Sequence, residues 1–332
     1  MSLRRRDFIS LLGGAAATWP LMARAQQADR VRRVGVHLRG DENDPERQSW
    51  LASLRESLRD LGWDEGRNIR IDVRGAPRQA RTNQAFAAEL VSLNPDLIVA
   101  SGPGTTIAVQ QVNRTIPIIF AGISDPVGLG IVENLARPGG NVTGFTLFDY
   151  SAAGKLLEAV KEFAPSITRA ALLMGSTNAA APGHWRALES ATRSLGVQPI
   201  SALISGDPGE IERIIATFAG QPNGALIAPP DLTVISHREL IATLAARYRM
   251  PAAYGSRVLA LSGGLMSYGP DLADNYRRAA SYVDRILKGE KPANLPVQQP
   301  TKFDFVLNLK TARALGFDVP AATLLRATEV IE

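Results

Sequence analysis

From Val31 onward the chain alternates short β-branched or aliphatic runs with longer stretches whose apolar residues recur every three or four positions. Few folds accommodate that alternation, because each strand followed by a crossover helix leads to the next strand in the same direction and so builds a parallel sheet. The first strand reads Arg33-Val34-Gly35-Val36-His37-Leu38. Leu51, Leu54, Leu58 and Leu61 then give one apolar helix face ending at Gly62. In the second strand Ile69, Ile71 and Val73 alternate with charged neighbours, so one face is the more exposed, whereas Leu97-Ile98-Val99-Ala100 is continuously apolar, as in a strand covered on both faces. A fourth strand, 116–121, leads into Gly122-Ile123-Ser124-Asp125-Pro126.

The pattern then begins again. A helix over 153–163 is followed by a strand over 170–174, a helix over 184–195, a strand over 199–203, and the run Ala225-Leu226-Ile227-Ala228 ending in Pro229-Pro230-Asp231. Arg249 to Gly255 echoes Arg114 to Phe120 in character but without a fixed repeat period. A chain of 332 residues suits two lobes of ordinary domain size, and the fold class expected is α/β: two Rossmann-like lobes with parallel sheets. Later, Gly263 to Pro270 precedes a helix over 271–287, and Pro292, Pro296 and Pro300 mark an extended crossover rather than a third domain.

The first 25 residues read as an address. A basic start leads through the apolar stretch Phe8 to Met22 to Ala23-Arg24-Ala25, a small-x-small pattern that predicts cleavage after Ala25. Arg5-Arg6-Asp7-Phe8-Ile9 resembles the twin-arginine export signal, with a plain secretory signal as the alternative. No cysteine stands at the cleavage site to carry a lipid, so an exported, periplasmic protein is expected. Removing the charges of this segment leaves 33 basic and 31 acidic side chains, which withdraws the support that a pI near 9.7 gives to nucleic-acid binding.

Catalytic and cofactor motifs are lacking: no phosphate loop, nucleophile elbow, dinucleotide glycine motif or zinc helix occurs, cysteine is absent, and His37, His184 and His237 stand far apart. No cofactor or metal is called for. The polar segments at strand carboxyl ends remain, where open α/β sheets bind ligands. Ser101, Gly102, Thr105 and Thr106 open a helix whose free N–H groups and hydroxyls suit a ligand carboxylate, or else form an ordinary cap. Asp125 and Asp231 each either meet a ligand amine or hydroxyl or cap the helix that follows. Tyr254 and Tyr268 either stack on a solute or pack in a core, and Asn178 is a weaker candidate.

Taken together, Ser101-Gly102-Pro103-Gly104-Thr105, Ser124-Asp125-Pro126-Val127-Gly128, Leu135 to Gly144, Gly263 to Gly269, Ile286 to Pro292 and Leu307 to Gly316 resemble the ABC transporter substrate-binding family related to the tryptophan-binding TrpX proteins. The resemblance covers nearly all of the chain beyond residue 25. It implies a type I periplasmic-binding-protein fold with a three-crossing hinge near 144–150, 262–267 and 291–300. Lobe 1 is then 31–145 plus 267–292, and lobe 2 is 146–266 plus 300–332. It also implies a Venus-flytrap cleft lined by 101–106 and Asp125 on one side and by Asn178, Asp231 and Tyr254 on the other. The expected function is capture of an amino acid or small aromatic carboxylate by a monomer, not an enzyme, and its delivery to an ABC permease and its ATPase. A ligand-sensing module for a receptor uses the same lobes, and an exported enzyme would need an acid–base pair, for which Asp125 with Asp231 is the candidate. One departure bears on the ligand: relatives often carry aromatic and acidic residues after the second-lobe strand, where this chain has Gly255-Ser256-Arg257.

Overall fold

A computed structural model describes residues 30–39, 43–75, 82–147, 150–178 and 180–332. The predicted export segment and cleavage site lie outside the described residues. Two sheets carry the fold. The first contains β1 (Arg32–His37), β2 (Ile69–Arg74), β3 (Leu97–Ser101), β4 (Ile118–Ile123) and β5 (Val142–Thr146), all parallel, in the order β2-β1-β3-β4-β5. The second contains β6 (Arg169–Gly175), β7 (Gln198–Ile204), β8 (Gly224–Ala228), β9 (Ala252–Tyr254), β10 (Met266–Pro270), β11 (Phe303–Asn308) and β12 (Glu329–Ile331). Its order, β12-β11-β10-β9-β8-β6-β7, repeats the topology of the first sheet and adds two strands, β11 being antiparallel to β10. The echo between the halves is thus a repeat of topology.

Helices cover both faces of each sheet. In the first lobe α1 (Pro45–Asp60) presents Trp50, Leu51, Leu54 and Leu58 to the core, while α2 (Asn83–Ser92) and α3 (Gly102–Val112) cover the opposite face with Ala87, Leu90, Ala108 and Val109. Asp44 caps α1, accepting the Glu46 and Arg47 N–H groups at 3.0 and 3.3 Å. Leu61, expected on the apolar stripe, follows the helix end and is 42% exposed, because the chain turns away at Gly62 with φ of 89°. In the second lobe α4 (Ala152–Phe163) and α5 (Ala181–Leu195) bury Leu156, Leu157, Val160 and Leu188 on one face. On the other, α6 (Pro208–Ala219), α7 (Leu232–Ser236), α8 (Arg238–Arg247) and α9 (Arg257–Leu261) contribute Ile211, Ile215, Ile241 and Leu259.

The chain crosses between lobes after β5, after β10 and before β11. The middle crossing corrects an expectation: the return was placed at Ser267, but Met266–Pro270 pairs with β9 on one side and β11 on the other, and so is an interior strand of the second sheet. Only at Asp271 does the chain leave, with Asp271 accepting the Asp274 N–H at 3.1 Å to cap α10 (Leu272–Leu287). That helix returns to the first lobe and lies against α1, tied by the Trp63 indole donating to Asp284 at 2.9 Å. The crossings clasp one another. Thr146 N–H donates to the Gln298 carbonyl at 2.8 Å, Gln298 N–H to Gly144 at 2.9 Å, and Asp271 N–H to Lys302 at 3.1 Å. α11 (Leu309–Leu315) and α12 (Ala321–Arg326) complete the second lobe. Among the described residues no helix is long and apolar enough to cross a membrane.

Candidate functional site

Both sheets contribute strand carboxyl ends to one cavity of about 490 Å³, within the size range of small-molecule sites. Arg39, Trp50, Ser124 and Asp125 reach it from the first lobe, Asn178, Asp231, Ser256 and Arg257 from the second, and Asp271 and Asp304 from beside the crossings. The location follows from topology: in each lobe the strand order reverses beside the first strand, and the diverging segments leave a crevice at the carboxyl ends.

Asp125 follows β4 in a short turn. One carboxylate oxygen accepts the Gly128 N–H at 2.8 Å, and the other accepts the Tyr150 hydroxyl at 2.6 Å. Burial, reinforced by the Asp125 bond, pushes the Tyr150 phenol up to about 12, so it stays protonated and a donor. Asp231 follows β8 and is 4% exposed. Its Oδ1 accepts the Thr233 and Val234 N–H groups at 2.7 and 3.0 Å, and its Oδ2 accepts the Asn178 amide at 2.6 Å. Asn178 in turn accepts the Ala180 N–H at 2.9 Å, so the loops after β6 and β8 brace each other. Each aspartate is therefore a loop-holding acceptor.

An aromatic wall stands on the first-lobe side. Trp50 stacks on Tyr276 of α10 with ring centroids 5.6 Å apart and 18° between planes, and the Arg47 guanidinium lies 5.7 Å from its ring. Charges complete the lining. Burial holds the half-buried Glu46 carboxyl above the ordinary carboxylate value, and burial with the nearby Asp271 charge does the same for Asp304. Asp271 goes the other way: burial acts to raise it, but the Lys302 ammonium at 2.9 Å and the Asp274 N–H bring it below the ordinary value. Arg257 is held by Glu329 through paired bonds of 2.7 Å each. The site thus offers acidic groups from both lobes and guanidiniums at Arg39 and Arg257, with the largely buried Trp50 giving it an apolar border: chemistry for a small zwitterion.

The structure brings Asp125, Asn178 and Asp231 together at the cavity and leaves the other expected residues away from it. Thr105 donates to the Ser101 and Gly102 carbonyls at 2.8 and 3.2 Å, and Thr106 to Gly102 at 2.8 Å. Buried hydroxyls within a helix turn back on its own carbonyls, so of this segment Pro103 lines the cavity while Ser101, Gly102, Thr105 and Thr106 do not. Tyr254 is corrected more strongly. The pleat of β9 turns it into the second-lobe core with no exposed surface, where a Cβ on Gly264 would lie 2.6 Å from its ring and burial pushes its phenol up. Tyr268 stacks on Phe303, centroids 5.5 Å apart and planes 7° apart, away from the cavity. Arg39, Glu46, Trp50, Tyr150, Asp271 and Asp304 were not among the expected residues. For Arg39 the same strand-end logic was available, since it stands two positions past β1.

Two Rossmann-like lobes, clasped crossings and a cavity shared between them define a type I periplasmic-binding-protein fold. The chain matches the family model for ABC transporter substrate binding proteins over residues 43–331, and it belongs to that family. It is 26% identical over 260 residues to a tyrosine-binding protein of Clostridioides difficile strain R20291, covering 78% of this chain and 74% of that one. Among solved structures, a conserved domain protein from Vibrio cholerae matches at 26% identity and a TM-score of 0.78, over 91% of this chain and all of that one. The structure of an ABC domain in complex with L-Trp from Streptococcus pneumonia matches in fold at 23% identity and a TM-score of 0.79, over 90% of this chain and 99% of that one.

Proposed function

We propose that this chain is the periplasmic solute-binding component of an ABC importer. It captures an amino acid or small aromatic carboxylate between its lobes and delivers it, as a monomer, to the permease and its ATPase. The observation that carries the reading is a cavity lined by both lobes, since a ligand touching both walls stabilises the closed arrangement by its extra contacts there. Trp50 supplies an apolar border, Asp125 and Asp231 supply negative charge for an amine, and Arg39 and Arg257 supply positive charge for a carboxylate. A tyrosine-binding relative and a fold neighbour solved with L-Trp support the amino-acid class. The twin-arginine start and the Ala23-Arg24-Ala25 pattern support export with cleavage after Ala25.

Mass spectrometry of the solute that co-purifies with gently isolated mature protein tests the reading, alongside a thermal-shift panel of amino acids and aromatic carboxylates. A ligand at a hundred times its Kd adds about 2.7 kcal/mol to stability, which raises the melting temperature by several degrees. A panel that leaves melting temperature and scattering radius unchanged, with nothing co-purifying, overturns it.

A further inference from the structure

The hydrogen bond from Tyr150 to Asp125 joins the lobes at the far end of the first crossing, beyond the backbone bonds of Gly144 and Thr146 to Gln298. Tyr150 stands on the second-lobe side of the first crossing, just before α4, while Asp125 belongs to the first-lobe loop after β4. Helix and strand packing is concentrated within lobes, so a bond of 2.6 Å between them is sensitive to the angle at which they meet. The phenol ring is also held from behind. It sits edge-on to the buried His184, with centroids 5.3 Å apart, and a Cβ on Gly183 would lie only 2.2 Å from the ring. The first turn of α5 is therefore shaped around this ring, and the ring is seated on the second lobe while its hydroxyl reaches the first.

We propose that Tyr150 is a positioning residue that ties the orientation of Asp125 to the closure of the lobes. In this structure the hydroxyl and the Gly128 N–H hold one carboxylate oxygen each, and Asp125 lines the cavity in that pose. When the lobes part, the second bond is lost and the carboxylate is free to rotate, so a ligand amine meets an oriented partner only in the closed arrangement. The inference rests on the solute-binding reading for its ligand contact, but the latch itself is a property of the empty protein.

Two variants separate the latch from the general packing. Tyr150→Phe keeps the ring against Gly183 and His184 and removes only the hydroxyl. Gly183→Ala keeps both polar groups and forces the ring away, with alanine favoured over glycine in the helix itself. The chain lacks cysteine, so spin labels at Asp60→Cys in the first lobe and Arg193→Cys in the second report the inter-lobe distance without competing sites. In the empty protein both variants should shift the distance distribution and the scattering radius toward a more open arrangement. With L-tryptophan as the probe, both should dissociate about tenfold faster, the loss expected for a hydrogen bond to a charged group. Unchanged distances and an unchanged dissociation rate overturn the proposal and leave Tyr150 a packing residue. If L-tryptophan binds none of the proteins while the empty variants open, the latch stands and the amino-acid assignment fails. If it binds all of them and the empty distances do not move, the latch fails and the assignment stands.

Discussion

Asp125 and Asp231 follow different strands of their sheets, β4 and β8, and both accept backbone N–H groups of the turn that follows, one for Asp125 and two for Asp231, yet their other partners differ. Asp231 is buried and receives Asn178 from a neighbouring loop of its own lobe, so its pose survives any movement of the lobes as bodies. Asp125 is half-buried and receives Tyr150 from across the hinge. One aspartate is part of a rigid wall and the other is a contact between walls. Two strand-end aspartates therefore do different work, and the difference lies in which lobe supplies the side-chain donor.

The largest effect expected from testing that contrast is on Asp231. Asp231→Ala removes two cap bonds and leaves the Asn178 amide without its acceptor, so a loss of about 3 kcal/mol of stability is expected by denaturant unfolding. A loss below about 1 kcal/mol would show that the wall does not depend on it.

A second test contrasts the lobes rather than the aspartates. His37 at the end of β1 is fully buried with neither ring nitrogen hydrogen-bonded, and burial lowers its pKa to about 4. The folded state prefers the neutral ring, so between the unfolded value near 6.5 and the folded value the unfolded chain binds the extra proton. Stability is then fully present above pH 6.5 and falls as the pH drops toward 4, by about 2 kcal/mol between pH 7 and pH 5. His37→Phe should flatten that part of the pH profile. An unaltered slope would assign the acid sensitivity elsewhere.

Asp125→Ala comes third. It should cost about 1 kcal/mol of stability, since the group is half-exposed and gives up one cap bond and the Tyr150 bond, but it should weaken ligand binding more than tenfold in calorimetry. A stability loss as large as that of Asp231→Ala would erase the distinction between wall and latch. The smallest effect belongs to Thr105→Val and Thr106→Val. Their hydroxyls donate within α3, so ligand affinity should change less than twofold, and a larger loss would return that helix start to the site.

Much of this was legible along the chain because it depends on near neighbours. Alternation of buried runs with helical periods specifies parallel sheets, and the continuous apolar run of β3 is buried at every position. Asp125, Asn178 and Asp231 were readable as strand-end polar residues, since chain order alone places them at the carboxyl edge. Trp50 was hidden by the same pattern that made α1 legible: it lies beside a stripe of buried leucines, and its role depends on Tyr276, brought to it by a helix from the far end of the chain. Tyr254 and Thr105 were misplaced for the opposite reason. A tyrosine at the end of β9 and a threonine at the start of α3 are compatible with either face, and only the packing around Gly264 and the turn of the helix decide.

Two α/β lobes and the edge at which a ligand site must form could be read along the chain, because these follow from hydrophobic periodicity and turn chemistry within a few residues. Tertiary structure alone decided which side chains meet in the cavity, that Met266–Pro270 belongs to the second sheet, and that Tyr150 reaches Asp125 across the hinge. Those choices are made by groups far apart in the chain, whose contact energies exist only once both lobes have packed.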